Sequence, residues 1–542
     1  MKIFKLVLVL TTLVLIIQSC KKFDKDVFDG AWNPDLAFPL AYSSFGVKDV
    51  LAKNDSSELI ISNPTTGAIS LVYSKVLKSL TAQELYGDIS FNEDYQYNIA
   101  DLNLTPSANF DGTINSIRTE ILQFQTQNGE ELHHMNFKSG FFNFHFETQL
   151  KQNVFLTITY PRLLNGSTPI TQDIELIYTG GNTTVLDVPL DLTNLNGDFT
   201  IDGTQFNALE LEIQIQVVGN GQNDIVGNEL FNVNLTSQDM VFKNMDGYFG
   251  QNSLVNDQDS ILIRIFQNTD TAGHFEFSNP QVEFNIVNSF GIPIDLHLNN
   301  LKTIQAFEGG QTFPLNGFPS PITVNTPTNP GQTASTSLIL NEDNTTNLNT
   351  IISPTPKYFY FEANALPNPL GNTGVLNFVD ENSNFEISAD VNLPLEGYMY
   401  GFYVQDTFDF SFNQKTENIE SLLFRLISDN GFPVDVSPVI KFVDKNYKVL
   451  FNLFNIGDKI IDGAPVDANG KVTSSLSKIN DISLTKGDLE SLKDVKYIII
   501  RAETNSTGYN PSNPSGSQIV KFYDFYKLDF QLSMDLKFKK NN

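Results

Sequence analysis

Alternating apolar and polar residues are the feature that most constrains the fold of this chain of 542 residues. Between residues 209 and 217 every second residue is Leu, Ile or Val, and Glu or Gln stands between them. Residues 522–538 repeat the alternation over a greater length. Successive side chains of a strand point to opposite faces, so strands of this kind bury one face and expose the other. Helical patterns are short, and we predict helices only near 47–51 and 486–492.

Asn-Gly and Asp-Gly pairs are frequent, and such pairs favour hairpin turns that need a positive φ. The pairs begin at Asp29, Asn128, Asn165, Asn196, Asp202, Asn220, Asp246, Asn316, Asn430, Asp462 and Asn469. Many strands separated by turns predict an all-β fold of tandem β-sandwich (immunoglobulin-like) modules. At roughly 100–200 residues per domain the chain holds several. We predict a signal peptide over 1–19, a tether over 20–45, and sandwich modules over 46–190, 191–335 and 336–542.

One turn sequence recurs at a fixed spacing. Gly291 and Pro293 match Gly431 and Pro433, and the flanking apolar residues match in register. A looser copy without the Gly-x-Pro turn lies equally far upstream, over residues 135–156. Long fixed periods indicate tandem repeats, so we predict equivalent turns between equivalent strands. Residues 279–298 also resemble the late-embryogenesis-abundant type-2 domain, which implies an immunoglobulin-like sandwich.

The N-terminus contains the only cysteine of the chain. Lys2 and Lys5 precede an apolar run over residues 6–17, which is shorter than the roughly 20 residues of a membrane-spanning helix and indicates a signal peptide. The last residues before and including Cys20, Ile-Gln-Ser-Cys, resemble a bacterial lipobox. The resemblance implies diacylglyceryl transfer to the Cys20 sulfur, cleavage before Cys20, and acylation of the new amino terminus by a fatty acid such as palmitate. An ordinary secretory signal with a chance cysteine is the alternative.

The segment after Cys20 resembles the tethers of Bacteroidota outer-membrane lipoproteins. It has charged residues, an Asp-rich turn and a W-x-P sequence at residues 32–34. In that group an acidic cluster after the cysteine acts as a surface-export signal. Asp24 and Asp26 alternate here with lysines, so the signal is mixed. The resemblance implies a lipid-anchored outer-membrane protein, with the cell surface favoured over the periplasmic face.

Charge and cysteine content exclude several functions. The net charge is -28, and phosphate binding needs clustered Lys and Arg, so nucleic acid is not an expected partner. A single cysteine excludes disulfides, cysteine-rich zinc sites and iron–sulfur clusters within the chain.

No residue pattern predicts a catalytic or metal site. The five histidines are isolated on strand patterns, and neighbours on a strand point to opposite faces. They are His133, His134, His145, His274 and His297. We predict no cofactor, although acidic turns leave calcium open. The calcium candidates are Asp24, Asp26 and Asp29, Asp257 and Asp259, and Asp444 with Asn446.

Three motif fragments lack the context that their chemistry needs. Ser475 and Lys478 form S-x-x-K without an opening helix. Residues 219–227 hold three glycines that miss the dinucleotide-binding spacing. Asp406 and Asp409 form a possible carboxylate pair for sugar hydrolysis, but three residues apart on a strand they face opposite sides.

Two aromatic segments are compatible with stacking on sugars, at residues 358–361 and 522–526. Phe is first a core residue, so burial is the competing interpretation.

We predict from these observations a non-catalytic lipoprotein subunit of an outer-membrane envelope assembly. Protein assembly, secretion and import machinery are the candidate hosts, with other outer-membrane proteins as partners through protein–protein contacts. The alternative is a surface glycan-binding lipoprotein, and a hydrolase with an unrecognised site comes third.

Overall fold

The computed structural model describes residues 35–47, 60–86, 90, 92–123, 126, 129–264, 274–305, 310–354, 356–410, 419–454 and 458–538. Strands dominate these residues, as the alternation predicts. The strands of the N-terminal half are β1 Asp35–Gly46, β2 Ile60–Ser62, β3 Ile69–Thr81, β4 Asn92–Asn98, β5 Thr113–Gln123, β6 Glu131–Thr148, β7 Asn153–Asn165, β8 Thr168–Leu176, β9 Thr184–Asp191, β10 Asn196–Asp198, β11 Ala208–Val218, β12 Leu230–Tyr248 and β13 Val255–Leu262.

The remaining strands are β14 His274–Phe277, β15 Gln281–Asn288, β16 Ile294–Gln305, β17 Thr312–Pro314, β18 Ile322–Val324, β19 Ala334–Leu340, β20 Pro356–Pro367, β21 Asn377–Asp380, β22 Asn384–Pro394, β23 Glu396–Tyr400, β24 Phe402–Asp409, β25 Ile419–Asn430, β26 Val434–Val443, β27 Val449–Asn452, β28 Leu476–Ser483, β29 Tyr497–Ser506, β30 Val520–Lys521 and β31 Lys527–Phe538. The helices are α1 Ala82–Tyr86, α2 Leu348–Ile352 and α3 Lys486–Ser491, with 3-10 turns at Leu492–Asp494 and Pro514–Gly516.

The strands form three sandwiches with one shared topology. In module 1, β4-β12-β6-β9 faces β5-β11-β7-β8, and β10 pairs with both β6 and β7. In module 2, β3-β22-β15-β19 faces β13-β20-β16-β17. In module 3, β1-β31-β25-β28 faces β24-β29-β26-β27. Numbered along the chain, each module has the orders 1-8-3-6 and 2-7-4-5, which are those of an eight-stranded jelly roll.

The first strand of each module is taken from the N-terminal region, in reverse order. β1 completes module 3, β3 completes module 2, and β4 completes module 1. The other seven strands of each module follow one another along the chain. The N-terminal segment therefore contributes one strand to each of the three modules before the other strands of module 1 follow in the chain.

The prediction of all-β sandwiches is confirmed, but the strand order is that of a jelly roll and not that of the immunoglobulin fold. The module limits also differ from the predicted ones. Each predicted division, at 45/46, 190/191 and 335/336, falls inside a strand, namely β1, β9 and β19. A division inside a strand separates residues of one hydrogen-bonded ladder. Sequence spacing did not reveal the three displaced first strands.

The recurring turn lies at the same place in modules 2 and 3. It joins β15 to β16 and β25 to β26, and in both modules it crosses from one sheet to the other. The carbonyl of Pro293 accepts a hydrogen bond from the Asn368 amide at 2.7 Å, and that of Pro433 accepts one from the Thr507 amide at 2.8 Å. The two prolines therefore lie at equivalent positions, as predicted. The two glycines do not, because in module 2 it is Ser289 that donates its amide to the start of the last strand, as Gly431 does in module 3. In module 1 the corresponding connection joins β6 to β7.

Two local predictions also hold. β11 buries Leu209, Leu211 and Ile213 together with the rest of the predicted apolar face. Helix α3 begins after Thr485, whose hydroxyl accepts from the Asp488 amide in a capping box. The C-terminal alternation forms β31, which lies between β1 and β25 in its sheet. The helix predicted at 47–51 falls largely outside the described residues.

Neighbouring modules are joined by strand pairing. β21 of module 2 pairs with the end of β12, and β30 of module 3 pairs with β23 of module 2. Gly247 and Gly397 lie at these two joints with φ of 156° and 154°. A Cβ at either glycine would meet the carbonyl oxygen of Glu131 or Glu276 in the adjacent strand. Glycine therefore lets β12 approach β6, and β23 approach β14, at the positions where these strands also pair with the next module.

Candidate functional site

A charged cleft opens on module 1 and has a volume of about 640 Å³. Its lining, which we call the module 1 cleft, is His134, Asn136, Pro161, Arg162, Leu164, Asn196, Gly197, Asp198, Glu210 and Asp246. Five strands contribute these side chains: β6, β7, β10, β11 and β12. The short strand β10 brings them together, because it pairs with one strand of each sheet and places Asp198 opposite His134.

Ion pairs run across the cleft. The Nδ1 atom of His134 lies 2.8 Å from Asp246 Oδ1, and its Nε2 atom lies 4.0 Å from Asp198 Oδ1. Arg162 Nη1 donates to Asp198 Oδ2 at 2.9 Å. Arg162 Nε is buried without a hydrogen bond and lies 3.6 Å from Glu210 Oε2. One arginine and one histidine thus face three carboxylates.

Asp198 is held in its ionised form. Burial raises the pKa of this carboxyl, but hydrogen bonds from the hydroxyl and amide of Thr200, together with Arg162, outweigh burial and lower the pKa below its usual value. A general acid for glycoside or ester hydrolysis needs a carboxyl whose pKa is raised. Asp198 has the opposite property, so it does not meet this requirement for a general acid.

The histidines are placed as the strand pattern predicts. His133 and His134 point to opposite faces: the ring of His133 stacks on Phe206 at 4.3 Å between centroids, while His134 faces the cleft. His145 Nδ1 lies 2.6 Å from Asp187 Oδ1. His274 is on β14 and His297 on β16. Among the described residues, no three His, Cys, Asp or Glu side chains are grouped as a metal site requires.

The calcium candidates within the described residues have partners in the protein. Asp259 forms an ion pair with Lys75 at 2.6 Å, and Asp257 accepts from the Gln258 amide. Asp444 accepts from the amides of Asn446 and Lys448, which is the usual role of Asp in a tight turn. Asp24, Asp26, Asp29 and the proposed lipid site Cys20 lie outside the described residues.

The three motif fragments remain apart from the cleft. Ser475 is in a loop, and Lys478 on β28 forms an ion pair with Asp462 at 2.9 Å. Asp406 and Asp409 both lie on β24, an edge strand of module 3. The glycines at 219–227 connect β11 to β12 by a loop and not by a helix.

The two aromatic segments have different environments. In β20, Phe359 and Phe361 are core residues, and Tyr360 lies under the Lys302 ammonium at 4.3 Å. Near the C-terminus, Phe525 is 53% exposed and Tyr526 is buried beneath it. These two border a second recess of about 270 Å³, the module 3 pocket. Its lining is Asp429, Gly431, Val472, Thr473, Ser474, Ser475, Phe525, Tyr526, Lys527 and Asp529.

Sequence reasoning missed the module 1 cleft and found only part of the module 3 pocket. The cleft residues are spread over 134–246, and each stands alone on its strand pattern. Alternation indicates that His134 points outward, but only the jelly-roll pairing shows which carboxylates lie beside it.

No helix of the described part has the length and apolar character to cross a bilayer.

The class of protein defined by this pairing is a chain of three jelly-roll sandwiches. No family model matches the chain, and no curated protein does. Solved structures that match include a protein of Parabacteroides distasonis proposed to be secreted, at 10% identity and a TM-score of 0.24, over 93% of this chain and 99% of that one. An archaeal virus protein with a triple jelly-roll fold and turret assembly matches at 10% identity and a TM-score of 0.11, over 86% and 97%. The PBSX exported protein XepA matches at 7% identity and 0.10, over 59% and 86%.

Proposed function

We propose that the chain is a non-catalytic lipoprotein, acylated on Cys20, that acts as a subunit of an outer-membrane envelope assembly through protein–protein contacts. The observation that supports this most directly is the position of β1. Residues 21–34 separate Cys20 from Asp35, the first residue of β1, and fully extended they span at most about 50 Å. β1 pairs along its length with β31, from Asp35 opposite Lys537 to Gly46 opposite Lys527.

This pairing favours a fixed order of modules from the membrane. The tether enters the sheet of module 3, module 3 is joined to module 2 through β30, and module 2 is joined to module 1 through β21. Two or three acyl chains at about 0.8 kcal/mol per buried CH₂ give stable anchoring. In this proposal the C-terminal module lies next to the lipid and module 1 is presented to partners.

The chemistry of the module 1 cleft is consistent with a role without catalysis. His134 and Arg162, its two basic side chains, are occupied by carboxylates of the same cleft. Such compensated charge is typical of polar contact surfaces, where it sets orientation and partner choice.

The first test concerns the anchor. We expect the wild-type chain to incorporate labelled palmitate and to fractionate with the outer membrane. Cys20→Ala should remain as an unprocessed precursor or appear in the soluble fraction. Ser19→Ala is the matched control, because alanine keeps the small residue that a lipobox needs before the cysteine. Mature Cys20→Ala protein that still fractionates with the outer membrane would contradict the lipid anchor.

The second test concerns the partner. Full-length protein tagged at the C-terminus is extracted in mild detergent and isolated from cells that produce it at the native level. We expect an outer-membrane protein at a fixed stoichiometry with the wild type, and loss of that partner with Cys20→Ala. Isolation of the chain alone under several detergents and after cross-linking would overturn the subunit role. Protease added to intact cells tests on which face of the outer membrane the protein lies. Digestion of the wild type indicates the cell surface and not the periplasmic face.

A further inference from the structure

The module 3 pocket lies beside the turn that joins β25 to β26, and Asp429 and Gly431 line it there. In module 2 the Gly291 amide donates to the Phe378 carbonyl at 2.8 Å, and in module 3 the Gly431 amide donates to the Lys527 carbonyl at 2.8 Å. The module 2 equivalents of Gly431 and Lys527 are instead Ser289 and Asn384. The Ser289 amide donates to the Asn384 carbonyl at 2.9 Å, and Asn288 pairs with Phe385 as Asn430 pairs with Leu528. A Cβ on Gly291 would meet the Phe378 ring, whereas a Cβ on Gly431 would meet only backbone atoms of Lys527. The space beside Gly431 is open, and Phe525, Tyr526 and Lys527 form one side of it.

Polar groups of fixed geometry surround this open space. Asp429 Oδ1 accepts from the Ser477 hydroxyl at 2.8 Å, which orients the carboxylate. The Tyr526 hydroxyl accepts from the Val472 amide at 2.7 Å, which holds the start of the loop that carries Thr473, Ser474 and Ser475. Hydroxyl, carboxylate and amide groups therefore converge on one small recess.

An exposed aromatic ring stands at the rim. The Phe525 ring packs on the backbone of Gly67, where an added Cβ would lie 3.2 Å from the ring, and the Lys471 ammonium is 5.8 Å from its centroid. The ring is nevertheless 53% exposed. An aromatic side chain held in this way offers an apolar surface at little cost in conformational entropy.

The lining selects a class of ligand. Asp429 and Asp529 oppose the single ammonium of Lys527, so the recess has no net positive charge for an anion. Many hydroxyl and carboxylate groups beside one aromatic ring match a neutral polyhydroxylated ring, whose apolar face stacks while its hydroxyls bond. A volume of about 270 Å³ is at the lower limit of small-molecule sites, which suits one ring and not several.

We propose that the module 3 pocket binds a single pyranose unit of a neutral glycan. Phe525 stacks on the sugar, Asp429 and Asp529 accept its hydroxyls, and the loop over residues 473–475 donates to it. This site is independent of the proposed subunit role, because it needs neither the lipid nor a protein partner. It gives a physical basis to glycan binding, the alternative function predicted from the sequence.

The test uses the full-length protein in a detergent without a sugar head group. Saturation-transfer NMR and calorimetry are performed with glucose, galactose, mannose, N-acetylglucosamine and their α- and β-linked oligomers. We expect binding of at least one sugar, with an affinity that does not rise as the oligomer lengthens. Phe525→Ala should weaken that binding about tenfold or more. Ser474→Trp, a change on an exposed loop that fills the recess, should abolish it.

Phe141→Ala is the matched control, since Phe141 is a 40% exposed phenylalanine of module 1. It should bind the sugar as tightly as the wild type, and the melting temperature of every variant is measured alongside. Absence of a signal with every sugar would overturn the proposal. So would a Phe525→Ala protein, folded like the wild type, that binds the same sugar with unchanged affinity.

Discussion

Modules 2 and 3 share a strand order and a turn but differ in what covers the turn. Gly291 is covered by the ring of Phe378, and Gly431 is covered only by the backbone of Lys527. The neighbouring contacts also differ. Beside Phe378, Asn377 accepts from the Phe249 amide next to module 1, while Tyr526 accepts from the Val472 amide of its own module. The two modules thus share a backbone arrangement. The side chains around the turn differ, and they determine whether the surface beside it is packed, is joined to another module or is open.

The apolar cores of modules 2 and 3 also differ in size. One apolar cluster includes the cores of modules 1 and 2, together with Phe432 and Tyr526 of module 3. The rest of module 3 is packed around two smaller clusters, centred on Phe442 and on Ile460. Module 3 therefore has less shared apolar burial to compensate for the loss of a strand.

The largest expected effect is the loss of β31. Truncation after Asp524 removes the central strand between β1 and β25, and with it two complete ladders. Each backbone hydrogen bond contributes roughly 0.5–1.5 kcal/mol, so the loss of both ladders together exceeds the stability of most domains. We expect amide protection to disappear in β25 and to remain in β15, as measured by hydrogen exchange with mass spectrometry.

Two shorter deletions sharpen this experiment. Removal of residues 539–542, which follow β31, is the control and should leave the protection of β25 unchanged. Deletion of β1, an edge strand, should weaken module 3 less than the loss of β31. Equal protection of β25 with and without β31 would show that the sheet is not organised as described.

The strand content was predictable because alternation is local, but the nesting of the modules was not. Residues 209–217 reveal their buried face without any partner. By contrast, nothing in residues 35–46 indicates that they pair with a strand almost five hundred residues later. The repeat at Gly291 and Gly431 was visible because it lies within consecutive strands. The first strand of each module was hidden because it lies outside the repeated segment.

The candidate sites show the same limit. The sequence predicts an aromatic segment at Phe525, but the recess beside it depends on the loop over residues 472–475 lying next to the end of β25. His134 and Asp198 belong to strands that are far apart in sequence, and β10 brings them together. Pairings of this kind depend on tertiary contacts, and secondary-structure propensity and hydrophobic periodicity do not predict such contacts.

The joint to module 1 gives the next largest effect. Asn377 is 1% exposed, and its Oδ1 accepts from the Phe249 amide at 3.1 Å and from Asn368 Nδ2 at 2.8 Å. Asn377→Ala removes the acceptor of the Phe249 amide and the donor to Asn368 Oδ1, while Asn368 Nδ2 keeps only the Gly250 carbonyl. We expect a loss of roughly 2–4 kcal/mol in the free energy of unfolding. Denaturant unfolding followed by circular dichroism measures it.

The matching change at the other joint is Ser506→Ala. Ser506 Oγ accepts a single amide, that of Met399 at 3.2 Å, so we expect a loss of about 1 kcal/mol. A Ser506→Ala protein destabilised as much as Asn377→Ala would show that the two joints have the same strength, which contradicts the comparison.

The third largest effect on stability is expected at the turns themselves. Gly291→Ala places a Cβ against the Phe378 ring, and overpacking of this kind costs roughly 1–3 kcal/mol. At Gly431 an added Cβ lies 2.9 Å from the Lys527 carbonyl oxygen and meets no ring, so Gly431→Ala should cost less. Thermal unfolding of both variants measures the difference. Adding Phe378→Ala to Gly291→Ala should recover part of the stability if the ring is the cause, and no recovery would assign the cost to the backbone.

The smallest effect concerns Tyr526, which precedes β31 and lines the module 3 pocket. Burial raises the pKa of Tyr526 to about 12 from its usual value of 10.0. Because the folded-state pKa is the higher one, the unfolded chain ionises first as pH rises. The stability due to the neutral phenol is therefore complete below pH 10 and is lost progressively between pH 10 and 12. Tyr526→Phe should remove this part of the alkaline slope.

At neutral pH the same variant leaves the Val472 amide without its acceptor, and we expect a cost of about 1 kcal/mol. Urea unfolding at pH 8, 10 and 11 therefore yields curves for wild type and variant that converge as pH rises. Tyr447→Phe, at an exposed tyrosine of the same module, should run parallel to the wild type throughout. Parallel curves for Tyr526→Phe as well would mean that the phenol reaches solvent, which contradicts its burial in the wall of the module 3 pocket.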